Sequence, residues 1–285
     1  MNSVQSDTGR PFLKMHGAGN DFVVFDARAE PLAVSPTLAR AVADRRTGIG
    51  CDQVIVIRTS ETADAFMEIR NADGAEVVAC GNAARCLGRL LMAETGRERV
   101  RLETRAGRLA LWREGGEFAV DMGTPGLDWR DIPLAEACDT QALPIAHDTL
   151  VEPAAVAMGN PHAVFFVEDP EAIDLDRLGP ELEHHSLFPE RANITVAAVE
   201  TPNLLCARVW ERGAGLTQAC GTAACAALVA AHRRGLAGRE AQLSMPGGVL
   251  TVRWAADDHV HLIGPAETAF SGRVDLAAFP QEAAA

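Results

Sequence analysis

Cys80 and Cys220 stand in matching surroundings. One half of the chain reads Ala79-Cys80-Gly81-Asn82 and the other Ala219-Cys220-Gly221-Thr222, and each opens an Ala- and Leu-rich run with helical spacing. A helix start presents free N–H groups and the positive end of the peptide dipole. There a thiolate is stabilised, and the thiol's pKa is expected to fall from about 8.5 towards neutrality. The amides of Gly81-Asn82 and Gly221-Thr222 can also cradle a carboxylate, with glycine allowing close backbone approach. A single reactive cysteine would suggest a covalent nucleophile. A matched pair suggests acid–base work instead: one thiolate removes an α-proton and the opposite thiol returns one from the other face, inverting the centre.

The elements that carry these cysteines are written twice. Residues 79–96, ACGNAARCLGRLLMAETG, are answered by 219–235, ACGTAACAALVAAHRRG. Asn82 and Thr222 are good N-cap types, and Gly96 and Gly235 suit C-terminal stops. RLETRAGRLALW (101–112) and QLSMPGGVLTVRW (242–254) both read as strand, glycine turn, strand. Cys80 lies 43 residues before Gly123, and Cys220 lies 44 before Gly264. Upstream, MHGAGNDFVVFD (15–26) resembles MGNPHAVFFVED (158–169), and MEIRNADG (67–74) resembles RVWERGAG (208–215). This duplication predicts an α/β (α+β) protein of two pseudo-symmetric domains. Each is expected to hold short strands around a central helix buried on all sides, with the active site in the cleft between them. The expected domains are residues 1–125 and 126–265, with a boundary near 125–150, where PGLDWRDIPLAEACDTQALP is rich in Pro and poor in periodicity.

Composition narrows the class. A net charge of −13 argues against nucleic-acid binding, because phosphate neutralisation needs clustered Lys and Arg. No apolar run approaches the roughly 20 residues of a membrane span. MNSVQSDTGRPFLK has no stretch of signal-peptide type, so the expected location is the cytoplasm. Seven cysteines, an odd number with no C-x2-C pair, argue against a disulfide framework or a zinc site. Cys51, Cys86, Cys138, Cys206 and Cys225 read as small buried hydrophobes. The chain has one lysine, Lys14, so a Schiff-base cofactor has one candidate anchor and no other support. No metal and no cofactor are expected.

The motifs together resemble the diaminopimelate epimerases over nearly the whole chain: KMHGAGNDF (14–22), GIGCDQ (48–53), RNADGAE (70–76), ACGNAARC (79–86), MGNPHAV (158–164), ERANITV (190–196) and WERGAGLTQACGT (210–222). The resemblance implies cofactor-independent interconversion of LL- and meso-diaminopimelate, serving lysine and peptidoglycan precursor synthesis, with Cys80 and Cys220 catalytic. His162 and Glu211 match positions that tune the thiols. Asn20, Gln53, Asn71, Asn160, Asn193, Glu211 and Arg212 match substrate-binding positions, and Gly81, Asn82, Gly221 and Thr222 match the carboxylate cradle. The family pattern also implies that each domain's sheet is rolled and mainly antiparallel, and it implies a homodimer and a chain end (266–285) that returns to the first domain. His184 and His185 match nothing and are expected on the surface. The usual glycine after Gly81-Asn82 and after Gly221-Thr222 is here Ala83 and Ala223, at what reads as a first helical position, where alanine is tolerable. The usual Gly-Glu-Thr reads Gly215-Leu216-Thr217, which removes a carboxylate. A tyrosine supporting dimer contacts in relatives falls near Phe270, and this chain has no tyrosine. Two other readings remain at this point. One is a two-cysteine racemase of another amino acid, of histidine or proline type, although proline-type relatives carry a His rather than Asn82. The other is a non-catalytic amino-acid-binding module.

Overall fold

A computed structural model describes residues 9–280. The first eight residues of the stretch read for targeting, and the last five of the expected returning segment, lie outside it. In chain order the first strands and helices are β1 (Arg10–Gly17), β2 (Asn20–Asp26), α1 (Pro36–Ala43), β3 (Gln53–Arg58), β4 (Ala65–Asn71), β5 (Glu76–Val77), α2 (Gly81–Thr95), β6 (Arg99–Thr104), β7 (Gly107–Glu114) and β8 (Glu117–Asp121). A small hairpin follows, β9 (Ala146–His147) with β10 (Leu150–Val151). Then come β11 (Ala154–Ala157), β12 (Pro161–Phe166), α3 (Leu175–Glu183), β13 (Asn193–Thr201), β14 (Leu204–Glu211), β15 (Gly215–Thr217) and α4 (Gly221–Arg233). The chain closes with β16 (Glu240–Met245), β17 (Gly248–Trp254), β18 (Val260–Gly264) and β19 (Glu267–Val274).

Two units result, one of residues up to Arg113 together with those from Ala266 onward, the other of Glu114–Pro265. The division falls before residue 125 because β8 pairs antiparallel with β18, from His261↔Asp121 to Gly264↔Phe118, and so belongs to the second unit. The Pro-rich stretch belongs to the second unit, in whose core Ile132, Leu134 and Leu143 are buried.

The first unit's sheet runs β7–β6–β4–β3–β2–β1–β19. The second runs β11–β12–β13–β14–β16–β17–β18–β8. Neighbours are antiparallel except at two equivalent places in each: β2–β3 and β4–β6, and β12–β13 and β14–β16. Parallel neighbours need a crossover, and each pair has a helix to make it: α1 and α2 in one unit, α3 and α4 in the other. The duplicated text is therefore a duplicated topology in a mixed α/β fold.

α4 fits the central-helix expectation. Ala223 through Ala231 are all fully buried, and the helix packs against β11–β14 and β16–β18. Its alanines let strands approach closely, while Leu228 and Val229 supply the bulk, each contributing about 1.5–3 kcal/mol on burial. α2 differs from that expectation. Ala83–Leu87 are fully buried, but Glu94 is exposed and pairs with Arg28, and Arg89 is half-buried and pairs with Glu267. Charged residues on one side give α2 a wet face that α4 lacks. Among the small-hydrophobe cysteines, Cys51, Cys86 and Cys225 are buried, whereas Cys138 and Cys206 are only partly so. Cys206 Sγ donates to Glu200 at 2.9 Å, a polar partner that draws it to the surface.

Candidate active site

The caps of α2 and α4 are the cysteines themselves. Cys80 (φ −147°, ψ 117°) and Cys220 (φ −125°, ψ 115°) hold extended backbone at the N-cap, and their carbonyls accept the first helical bonds, from Ala84 and Ala224. Asn82 and Thr222, N-cap types by residue identity, sit inside the first turn instead, because Gly81 and Gly221 already have helical backbone. Ala83 and Ala223 are likewise third, not first, in their helices, and both are fully buried. The backbone N–H groups ahead of Ala84 and Ala224 have no intrahelical acceptor, which is what an anion cradle requires.

In the first unit, Cys80 Sγ approaches Asn20 Oδ1 at 3.8 Å, and Asn82 Nδ2 donates to the same oxygen at 3.4 Å. Asn20 opens β2 directly after Gly19, whose φ of 80° makes the tight turn from β1. Gln53 and Asn71 face each other across β3–β4, with Gln53 Nε2 donating to Asn71 Oδ1 at 2.9 Å. Asn82 Oδ1 and Gln53 Oε1 are buried without a protein donor. Such acceptors cost about 1–3 kcal/mol each unless a ligand supplies N–H or O–H groups.

In the second unit, Cys220 is almost fully buried, with its sulfur 3.4 Å from Thr222 Oγ1. Burial pushes its thiol well above the ordinary range, and the neighbouring Glu211 carboxylate pushes the same way. The Thr222 hydroxyl and Ala223 amide act in the opposite direction but do not prevail. The thiolate that the helix dipole alone would favour is thus disfavoured at Cys220, because desolvation outweighs a dipole effect of about 0.3–2 kcal/mol. Glu211, the last residue of β14, accepts from Thr217 Oγ1, so the Thr of the departed Gly-Leu-Thr segment orients the carboxylate. Leu216 is partly exposed, opposite Trp210.

His162 is fully buried, and burial followed by the Arg212 charge holds its pKa down at about 3. Its Nε2 lies 2.9 Å from Asn160 Oδ1, an acceptor, so Nε2 carries the proton and the buried Nδ1 keeps a lone pair without a protein partner. The ring thus bonds Asn160 and not Cys220. Asn193 Nδ2 donates to Pro161 O at 3.0 Å, and its Oδ1 accepts from the Arg212 amide at 2.9 Å. Arg212, Asn160 and Glu190 line a polar cavity of about 380 Å³ within this unit. Among the described residues no group of three or more His, Cys, Asp or Glu side chains could hold a metal ion.

Register relates the two sets. Phe22 pairs with Gln53 and His162 with Asn193; Gln53 pairs with Asn71, and Ile194 with Trp210, which sets Asn193 beside Glu211. Asn20 thus answers to Asn160, Phe22 to His162, Gln53 to Asn193 and Asn71 to Glu211, as Cys80 answers to Cys220. Within each unit these residues occupy the same end: starts of two strands, the end of a third, and a helix N-terminus.

The diaminopimelate epimerase family model matches residues 12–127 and 154–269, one block for each half and one cysteine in each block. The chain belongs to the diaminopimelate epimerase family. A relative named diaminopimelate epimerase from Acidiphilium cryptum is 55% identical over 269 residues, covering 94% of this chain and 97% of the relative. Membership in the diaminopimelate epimerase family makes the chain an enzyme of the epimerase class. Solved structures extend the fold beyond it. A phenazine biosynthesis protein of the PhzF family from Enterococcus faecalis is 14% identical with a TM-score of 0.68, covering 94% of this chain and 99% of that one. A probable proline racemase from Agrobacterium radiobacter is 16% identical with a TM-score of 0.65, covering 94% and 93%.

Asp52 in the first unit and Glu183 in the second each touch their own unit's set of residues without having stood out in the sequence. Asp52 lies inside GIGCDQ and bonds Asn20. Glu183 sits at the end of α3, where nothing in its spacing marks it, and accepts from Trp210 Nε1 (2.7 Å), Gly213 N (3.1 Å) and Arg191 (3.4 Å). His184 and His185 carry no site contact; His184 Nδ1 bonds Pro180 O, and His185 Nδ1 accepts from Leu187 N.

Proposed function

We propose that the protein interconverts LL- and meso-diaminopimelate without a cofactor, using Cys80 and Cys220 as the two acid–base groups. The observation that carries this reading is the identical placement of the two thiols, each the N-cap of the helix that follows β5 or β15 in a duplicated unit. Identity of 55% to a protein of that name, over nearly its full length, supports the substrate.

One cysteine, as thiolate, takes the α-proton, leaving the electron pair on the α-carbon beside the carboxylate. The other, as thiol, gives its proton to the opposite face, so one S–H forms as the other breaks and the net protonation is unchanged. The free amides at Gly81-Asn82 and Gly221-Thr222 suit the carboxylate, where negative charge grows in the transition state. Asn82 Oδ1 and Gln53 Oε1, which have no protein donor, suit ammonium N–H groups. Arg212 supplies a cation for a carboxylate. Burial and Glu211 favour Cys220 as the thiol when Cys80 is the base; in the reverse direction the roles exchange and Cys80 returns the proton. The setting is cytoplasmic supply of lysine and peptidoglycan precursors, by a homodimer.

The test is incubation of the purified protein with LL-diaminopimelate, proline and histidine separately in heavy water. Deuterium entering the α-position with inversion is expected for diaminopimelate alone; its absence there overturns the proposal. Cys80→Ala and Cys220→Ala are each expected to lower inversion by at least about 10²–10⁴-fold. Near-normal turnover in either would rule out the two-base scheme.

A further inference from the structure

Asn20 can present either end of its amide to Cys80, and the two ends have opposite effects. A carbonyl accepts from the S–H and favours the thiol; an NH₂ donates to the sulfur and favours the thiolate. The neighbours on the other side decide which end is presented. Asn20 Nδ2 lies 2.9 Å from Asp52 Oδ2, and the same carboxylate oxygen accepts from the Asp21 amide at 3.1 Å. Turning the amide over would set its carbonyl against a carboxylate.

Asp52 is itself held from several directions. Its Oδ1 accepts from Arg45 at 2.7 Å, and its backbone N–H donates to Asp21 Oδ1 at 2.9 Å. Arg45 also bonds both oxygens of Asp21, whose second oxygen takes the single lysine, Lys14. Burial pushes the Asp21 carboxyl up, but Arg45 and Lys14 together hold it at about 2. Lys14 is anchored in turn to the Gly50 carbonyl. Cys86, further along α2, is a thiol pushed up to about 12 by burial and adds no charge to this corner.

We propose that Asp52, braced by Arg45, is a positioning residue: it locks the Asn20 amide with the carbonyl towards Cys80, stabilising Cys80 as the thiol, the form that returns a proton in the direction in which Cys220 is the base. The last clause rests on the two-thiol function above; the amide lock does not. It also gives the chain's only lysine a task, which is to share the charge of Asp21 so that two adjacent carboxylates can stand beside Asn20.

The experiment reads thiol ionisation directly and needs no substrate. Cys80 and Cys220 are alkylated with iodoacetamide across a pH series, and each is followed by peptide mass spectrometry. In Asp52→Ala the Cys80 midpoint is expected to fall by about one pH unit while Cys220 stays in place. Asp52→Asn keeps a carbonyl that accepts from Asn20 Nδ2, and is expected to restore the wild-type midpoint. Asn20→Ala is expected to lower the Cys80 midpoint as well, and adding Asp52→Ala to it to lower it no further, since the second acts through the first. Arg45→Met, on a largely exposed side chain, carries the same expectation of a fall should Asp52→Ala not fold. The proposal is overturned by an unmoved Cys80 midpoint in Asp52→Ala, or in Arg45→Met if that variant stands in for it. An equal shift of both cysteines, or a further fall in the double variant, overturns it too. Failure of the heavy-water experiment with these results intact would strike the function and leave the amide lock standing.

Discussion

Replacing Glu183 by alanine tests whether this buried carboxylate holds the Glu211–Arg212 corner. The side chain is 5% exposed and accepts three hydrogen bonds. Truncation strands the half-buried Trp210 indole N–H, at about 1–3 kcal/mol, and releases the amide of exposed Gly213, which water can take up at about 1 kcal/mol or less. The Arg191 contact is half in water and contributes less than about 1 kcal/mol. The expected loss is therefore about 1–5 kcal/mol, read by urea denaturation at pH 7. Trp210 and Gly213 flank Glu211 and Arg212, and the Glu183 carbonyl also accepts from Ala192, next to Asn193. Activity is expected to fall beyond what the unfolded fraction explains. Glu183→Gln keeps a carbonyl acceptor and is expected to recover most of the stability. A loss under about 1 kcal/mol with wild-type kcat and KM would refute the reasoning, because the stranded donors would then have found other partners at no cost.

Gly179 on α3 leaves no room for a side chain: a Cβ there would lie 2.4 Å from Trp210 ring atoms. Gly179→Ala is expected to cost about 1–3 kcal/mol through overpacking, despite a helix-propensity gain of about 1 kcal/mol, and to shift Trp210 fluorescence; a raised melting temperature would contradict this. His162 is neutral in the folded chain down to a pKa of about 3, while the unfolded chain protonates it below the ordinary histidine value of 6.5. Its contribution is therefore intact above pH 6.5 and is lost as pH falls from there. Between pH 7 and 5 the loss is about 2 kcal/mol, so His162→Gln should lose about that much less over the same interval by chemical denaturation.

The duplication was legible because its markers are residue types with narrow uses: Cys-Gly at a helix start, Gly-Asn at a turn, strands of matched length. The asparagines at 20 and 160 were legible for the same reason, standing directly after left-handed glycines. The cap was misjudged because residue type ranks Asn and Thr above Cys, while the actual choice is made by Gly81 and Gly221, which start the helices two residues earlier than those caps would. The pKa of Cys220 was out of reach for another reason: burial and the approach of Glu211 are tertiary facts that no spacing within 211–220 encodes. Asp52 and Glu183 lay hidden because a carboxylate that bonds a neighbour's amide looks, in sequence, like any solvated one. The wet face of α2 was foreseeable from Arg89 and Glu94, but the all-apolar picture suits only α4.

β1 and β19 pair antiparallel from Arg10↔Val274 to His16↔Glu267, joining the two ends of the chain in one sheet. During synthesis β1 emerges well before its partner, since the paired residues Arg10 and Val274 stand 264 positions apart. At about 5–20 residues per second this leaves one side of β1 without its neighbour for roughly 10–50 s. The second unit closes earlier, with β18. The nascent chain thus completes its later half before its earlier one, and until release it carries an unpaired strand edge of the kind that recruits other chains. A ribosome-bound chain stalled before residue 267 would hold a finished second unit and an unfinished first, so the order of assembly inverts the order of translation.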